Sequence, residues 1–211
     1  MKNNTFLWIF SCIIFSVSCN SKNDKLYALN ENFDSNEIGW PEESTSSHTV
    51  EIENGMYTVH SKTIDTTKVQ TSAGPQNRSF LYNLPGHYQI MSLIKGYHGG
   101  PKMEYGIMLN SASLSYRFAL TGSGKVFVTE YDYNTESEDT LIHGNYLKLT
   151  KIGPTGVKFT FDIRDRNLNF ILDDKAIGSC LLKTKQWEDI RLFTTIKSKI
   201  SIDYLRVVKK D

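Results

Sequence analysis

Residues 157–178 read VKFTFDIRDRNLNFILDDKAIG, and this stretch decides the fold. Val157, Phe159, Phe161 and Ile163 alternate with Lys158, Thr160, Asp162 and Arg164. A period of two belongs to a strand with one dry face and one wet face. Asp165-Arg166-Asn167 interrupts the alternation, and Leu168, Phe170 and Leu172 resume it against Asn169 and Asp173. Asp173-Asp174-Lys175 interrupts it again before Ala176-Ile177. The pattern predicts a hairpin and a further turn, lying on a large antiparallel sheet.

The same signal recurs on both sides of this stretch. His48–Ser61, HTVEIENGMYTVHS, is a second hairpin, because Asn54-Gly55 supplies the positive φ angles of a tight two-residue turn. Leu26–Asn30 reads as a first edge strand, and Arg78–Asn83 as a short strand stopped by Pro85-Gly86. His87–Tyr97 is apolar on both faces around Ile90–Leu93, which places it near the middle of a sheet. Lys102–Asn110, Leu114–Thr121 and Lys125–Tyr133 form a three-strand meander, with Gly122-Ser123-Gly124 joining the last two. Residues 62–77 are polar, with a turn at Gly74-Pro75, and Glu136-Ser137-Glu138-Asp139 reads as an acidic loop tip. Tyr146–Ile152 precedes the central hairpin, and Ile190–Thr195 and Ile200–Val208 close the domain. No convincing helix-period segment and no internal repeat occurs. Many short strands between turns predict an all-β, two-sheet antiparallel sandwich or jelly roll.

The N-terminus carries an address. In residues 1–19, MKNNTFLWIFSCIIFSVSC, one lysine precedes an apolar run from Phe6 to Phe15, and small residues follow. This is the order of a secretory signal, and the run is short of the roughly 20 apolar residues that span a bilayer. Ser16-Val17-Ser18-Cys19 resembles the lipobox of bacterial lipoproteins, in which the peptidase cuts before the cysteine and the thiol receives a diacylglycerol; Ser16 departs from the usual leucine. The alternative is an ordinary signal peptide that happens to contain a cysteine. The resemblance implies lipidation at Cys19, acyl groups such as palmitate, and a membrane partner reached through that lipid. Each buried methylene contributes about 0.8 kcal/mol to such an anchor. The polar stretch NSKNDK, residues 20–25, reads as a tether and resembles the charged patch of some Bacteroidetes lipoproteins. The expected organisation is a signal peptide over 1–18, a lipidated cysteine and tether over 19–29, and a jelly-roll domain over 30–211. The expected location is the cell envelope, at the outer membrane, on its periplasmic face or the cell surface.

Composition narrows the function. The chain has 211 residues and a formal charge of +1; Lys2 is the only charged residue in 1–18, so the remainder holds 23 basic and 23 acidic residues. A neutral chain offers no electrostatic case for nucleic acid. The cysteines are Cys12, Cys19 and Cys180; with Cys12 in the leader and Cys19 lipidated, Cys180 has no partner and reads as a small buried hydrophobe. The five histidines are scattered without ligand spacing, and no cofactor is expected. Asp173-Asp174 and the 136–139 loop could offer oxygens to calcium, although acidic turn tips are more often solvated. Asn77-Arg78-Ser79 matches a glycosylation sequon that would be idle in a bacterial lipoprotein.

A family resemblance follows from the order of features. Phe33-Asp34 is followed by Trp40 and by Ile52-Glu53-Asn54-Gly55-Met56-Tyr57; Tyr105-Gly106 precedes Tyr116-Arg117-Phe118; Leu172-Asp173-Asp174-Lys175 makes a turn; Ile202-Asp203-Tyr204-Leu205-Arg206-Val207 ends the domain. Over residues 30–208 this resembles the concanavalin A-like lectin/glucanase jelly rolls of bacterial envelope proteins. That fold hosts lectins, glycan hydrolases and adhesion modules, so it does not by itself name an activity.

In the meander, Tyr105, Ile107, Leu109, Leu114, Tyr116, Phe118, Leu120, Val126 and Val128 share the core face. The opposite face carries Glu104, Gly106, Met108, Ser115, Arg117, Ala119, Phe127, Thr129 and Tyr131. Gly106, Ser115 and Ala119 are small and predict a depression. Glu104 and Arg117 would supply hydrogen bonds, and Phe127 and Tyr131 would stack on a sugar face. The alternative is a face covered by loops, or a solvated sheet with an Arg–Glu pair. A hydrolase would need two carboxylates about 5 to 9.5 Å apart. The nearest match to the laminarinase pattern is Glu130-Tyr131-Asp132-Tyr133-Asn134-Thr135-Glu136, which is one residue too long. The sequence therefore points to a membrane-anchored, non-catalytic module for glycan or another envelope component. Laminarinase-type hydrolysis and a structural or protein-partner lipoprotein are the alternatives.

Overall fold

The computed structural model describes residues 26–62, 71–146, 156–195 and 197–210. The leader, Cys19 and residues 147–152 of the Tyr146–Ile152 segment lie outside them.

Among the described residues, fifteen strands build two antiparallel sheets, with one short 3-10 turn beside them. In chain order the strands are β1 (Tyr27–Glu31), β2 (Glu43–Ser44), β3 (His48–Glu53), β4 (Met56–Ser61), β5 (Thr71–Ala73), β6 (His87–His98), β7 (Glu104–Asn110), β8 (Leu114–Thr121), β9 (Lys125–Asp132), β10 (Ser137–Asn145), β11 (Val157–Arg164), β12 (Asn167–Leu172), β13 (Lys175–Leu181), β14 (Asp189–Thr194) and β15 (Ser198–Lys209). Nine of them form one sheet in the order β13-β12-β11-β6-β15-β4-β3-β2, with β1 pairing β15 beyond the end of β4. The other sheet runs β10-β9-β8-β7-β14-β5.

The central stretch forms the predicted hairpin. β11 pairs β12 with Phe161 opposite Phe170, and Asp173 and Asp174 then turn the chain at φ 45° and 64°. Two consecutive positive φ angles make the turn whose twist suits a hairpin. Asn54 and Gly55 do the same between β3 and β4 at 53° and 66°. β6 lies between β11 and β15, in the interior of the sheet as expected, with Tyr88, Ile90 and Ile94 buried and Met91 and Leu93 on the half-exposed face.

The core is the space between the sheets. Phe118 of the smaller sheet meets Phe161 of the larger with ring centroids 4.2 Å apart, and Phe161 stacks on Phe170 at 5.3 Å. Such pairs add about 0.5–1.5 kcal/mol beyond the area they bury. Phe33, Trp40 and Tyr57 form a second aromatic group, with Trp40 and Tyr57 centroids 4.7 Å apart and the Tyr57 hydroxyl donating to the Pro41 carbonyl at 2.9 Å. Gly106 is where two strands crowd: a Cβ there would lie 1.9 Å from the Phe118 carbonyl oxygen.

Three local expectations are corrected. Residues 78–83 are not a strand; Ser79–Leu81 is a single 3-10 turn, with the Leu81 and Tyr82 amides donating to the Arg78 and Ser79 carbonyls. The polar 62–77 region contains a short strand, β5, on the edge beside β14. Residues 137–139 are not a loop tip but the start of β10, and only Glu136, at φ 52°, belongs to the turn. β10 is an exposed edge strand with a bulge between Thr140 and Ile142. The bulge turns Ile142 inward, where it is buried, and leaves His143 exposed opposite Phe127. A bulge destroys the period of two on which strand recognition depends.

Candidate functional site

The site lies on the outer face of β7–β10. Strand alternation sends Tyr105, Ile107, Tyr116, Phe118, Val126 and Val128 into the core, all fully buried. The intervening residues face away. Arg117 sits at mid-strand on β8, opposite Met108 on one side and Thr129 on the other. Two depressions of about 230 and 380 Å³ open on this face, and Arg117, Thr129 and Glu138 line both. Met108, Ser115, Tyr131 and Tyr133 complete the first; Lys125, Phe127, Thr140 and His143 complete the second. Together they make a trough divided by the Arg117 side chain.

The guanidinium is held from two sides. Its Nη2 lies 3.1 Å from Glu138 Oε1 and its Nη1 lies 3.5 Å from Glu104 Oε2. Its Cζ is 5.9 Å from the Phe127 ring centroid, within cation–π range. The Nε of Arg117 is buried and has no hydrogen-bond partner among the described residues. The Glu104 carboxyl is pushed above its ordinary range, first by burial and then by the Glu138 charge, with Arg117 opposing. At the far end, Tyr131 and Tyr133 pack edge to face with centroids 5.2 Å apart, and Tyr133 is exposed.

Of the four residues expected to bind a ligand, the structure brings three to the trough. Tyr131 lines one depression, Phe127 the other and Arg117 both; Glu104 lines neither and stands behind Arg117 as its ion-pair partner. Of the three small residues expected to make a depression, only Ser115 lines one. Phe193 of β14, opposite Gly106, is fully buried in a cluster with Ala119 and Met108, and Phe127 packs against it. The space over Gly106 and Ala119 is therefore filled, and the open space lies over Ser115 and Thr129. Glu138, Thr140 and His143 escape sequence reading because β10 does.

The carboxylates of the laminarinase-like run point elsewhere. Glu130 continues the Val126/Val128 register, is 2% exposed, and accepts a 2.5 Å hydrogen bond from the Tyr116 hydroxyl. It also pairs with the Lys183 ammonium. It therefore lies on the opposite face of the sheet from the trough, where it fastens the β13–β14 connection to β8. Burial and the neighbouring Glu130 push the half-buried Cys180 thiol up to about 11, leaving it protonated at neutral pH. Among the described residues no group of three or more His, Cys, Asp or Glu side chains is placed to hold a metal ion. The oxygens of Asp173 accept from the Tyr146 hydroxyl and, at 2.8 Å, from the Lys158 amide.

No protein-family model and no curated protein sequence matches the chain. Solved structures do match in shape. SCLam, a non-specific endo-β-1,3(4)-glucanase from family GH16, superposes with a TM-score of 0.60 at 12% identity, over 88% of this chain and 91% of that one. The laminarinase catalytic domain from Thermotoga maritima superposes at 0.62 and 10% identity, over 88% and 98%. The carbohydrate-binding module CBM66 from Bacillus subtilis superposes at 0.57 and 10% identity, over 82% and 96%. The fold is a concanavalin A-like jelly roll. At these identities the likeness is one of architecture, so the chemistry rests on this chain's own side chains.

Proposed function

We propose that the protein is a non-catalytic glycan-binding module whose ligand lies along the trough on β8–β10. The observation that carries this reading is Arg117, buried to its Nε and dividing a groove with Phe127 at one end and Tyr131 and Tyr133 at the other. Sugar rings ask for aromatic faces to cover their C–H surfaces and for charged groups to bind their hydroxyls, and charge-assisted hydrogen bonds are the stronger kind. The charges also balance. Glu138 on the trough and Glu104 behind Arg117 offset Arg117 and Lys125, which suits an uncharged, hydroxyl-rich ligand better than an anion. A glycanase and a carbohydrate-binding module among the structural neighbours are consistent with that ligand class. The inward position of Glu130 takes away the carboxylate on which laminarinase-type hydrolysis would rest.

The N-terminal sequence supports an envelope location: a module tethered through lipid on Cys19 would present the trough to polysaccharide at the membrane surface. Replacing Cys19 with Ala should release the protein from membranes, and continued fractionation with membranes would end the anchor reading. For the ligand, retention of the purified protein on immobilised β-glucans and other polysaccharides should disappear in the Arg117→Ala/Tyr131→Ala double variant with little change in melting temperature. Unchanged retention would refute the trough, and a stable co-purifying protein with no polysaccharide retention would favour the protein-partner alternative.

A further inference from the structure

A second cavity, which shares no lining residue with the trough, lies at one end of the sandwich. Its volume is about 400 Å³, within the range of roughly 300–1,000 Å³ typical of small-molecule sites. The end of the 3-10 turn and the segment after it, residues 81–86, form one wall; the β13–β14 connection, residues 185–188, forms another; Asp165 in the β11–β12 turn closes the rim. These walls are fastened to one another. The Asp165 amide donates to the Gly86 carbonyl at 2.5 Å, and the Leu182 amide donates to the Arg166 carbonyl at 2.8 Å. Asn83 and Asp165 hold the left-handed conformation, at φ 59° and 55°, that Asn and Asp adopt at least cost.

The floor carries a phenol. Tyr88 is 2% exposed and lines the cavity, and its hydroxyl accepts from Trp187 Nε1 at 2.5 Å. That bond uses an oxygen lone pair, and the hydroxyl still has its own O–H to donate. Burial pushes the phenol up to about 12, so it keeps its proton. At the mouth, Tyr82 is 59% exposed, an aromatic face beside Leu84 and Pro85. Asp165 and Glu188 against Lys185 leave the lining one charge negative, which disfavours an anion.

We propose that this cavity binds the uncharged terminal sugar ring of a glycan. The ring would offer a hydroxyl oxygen to Tyr88 and its C–H face to Tyr82. The trough, open along its length, suits an internal stretch of chain, whereas a walled cavity suits an end. The ligand class here rests on the glycan reading; the site does not depend on the trough.

The test is 19F NMR of the full-length protein carrying 5-fluorotryptophan. The chain has three tryptophans, Trp8, Trp40 and Trp187, assigned by single Trp→Phe variants. Methyl glycosides of glucose, galactose and N-acetylglucosamine are titrated alongside glucuronic acid. At least one neutral glycoside should shift the Trp187 resonance saturably, and glucuronic acid should not. Tyr82→Ala, at an exposed position, and Tyr88→Phe, which removes only the hydroxyl, should each weaken the effect at least fivefold, whereas Arg117→Ala/Tyr131→Ala should leave it intact. No response of Trp187 to any neutral glycoside, or a response indifferent to both tyrosine variants, overturns this site even where polysaccharide retention through the trough persists. A Trp187 response with polysaccharide retention unaffected by the trough variants sinks the trough instead.

Discussion

The outer face of the six-stranded sheet has two halves that look alike in sequence and behave oppositely. Where β14, β7 and the Ala119 end of β8 meet, the small residues Gly106 and Ala119 are roofed by Phe193 and Met108, and the half is closed. Over β8–β10 Ser115 and Thr129 have no such roof, and the half is open. A small side chain makes a hole only if its lateral neighbours are also small. Those neighbours come from strands distant in sequence: β14 lies about 85 residues from β7. Alternation tells which residues share a face, and strand order tells which of them are covered.

The strongest way to break this contrast is Phe193→Ala. Truncating a fully buried phenylalanine costs about 3–5 kcal/mol, so chemical denaturation should show a lower midpoint with an unchanged slope. A midpoint unchanged from the parent would mean that the closed half is not a packed core. Next in size, Ala119→Leu should cost about 1–3 kcal/mol, because the added atoms meet Phe193 and Met108 in a space already filled. Tyr131→Ala works on the open half and should leave the melting temperature nearly unmoved. Loss of one stacking contact worth about 0.5–1.5 kcal/mol should weaken polysaccharide binding by up to about tenfold in affinity electrophoresis.

The smallest effect sharpens the boundary between the halves. The folded protein holds the Glu104 proton more tightly than the unfolded chain does, chiefly because of burial. That group therefore contributes its full stability below the ordinary glutamate value of 4.5 and loses it as pH rises through the folded value. Glu104→Gln should consequently gain stability on the parent as pH rises above 4.5. Thermal melts across that rise check it, and a gain that runs the other way would place Arg117 above burial as the dominant influence.

Much of the fold was legible because the chain repeats one signal. Hairpins with paired positive-φ turns, such as Asn54-Gly55 and Asp173-Asp174, follow from local chemistry alone. β10 was hidden for a local reason too: residues 137–139 are polar and the bulge near Leu141 shifts the alternation. The 3-10 turn at 79–81 was hidden because three residues, SFL, suit a strand equally well. At the site, Arg117, Phe127 and Tyr131 could be placed on one face from alternation within their own strands. Glu138 and Phe193 could not, since each arrives from an edge or a neighbour that alternation does not rank. The end cavity is assembled from three separate connections and leaves no periodic trace.

β15 has a consequence for how the protein is made. It lies between β6 on one side and β4 and β1 on the other, so the nine-stranded sheet has no continuous middle until residues 198–209 exist. A nascent chain that ends at residue 197 holds two blocks of that sheet with no strand between them. A stop codon just upstream of Ser198 should yield an unfolded, protease-sensitive polypeptide rather than a slightly trimmed one.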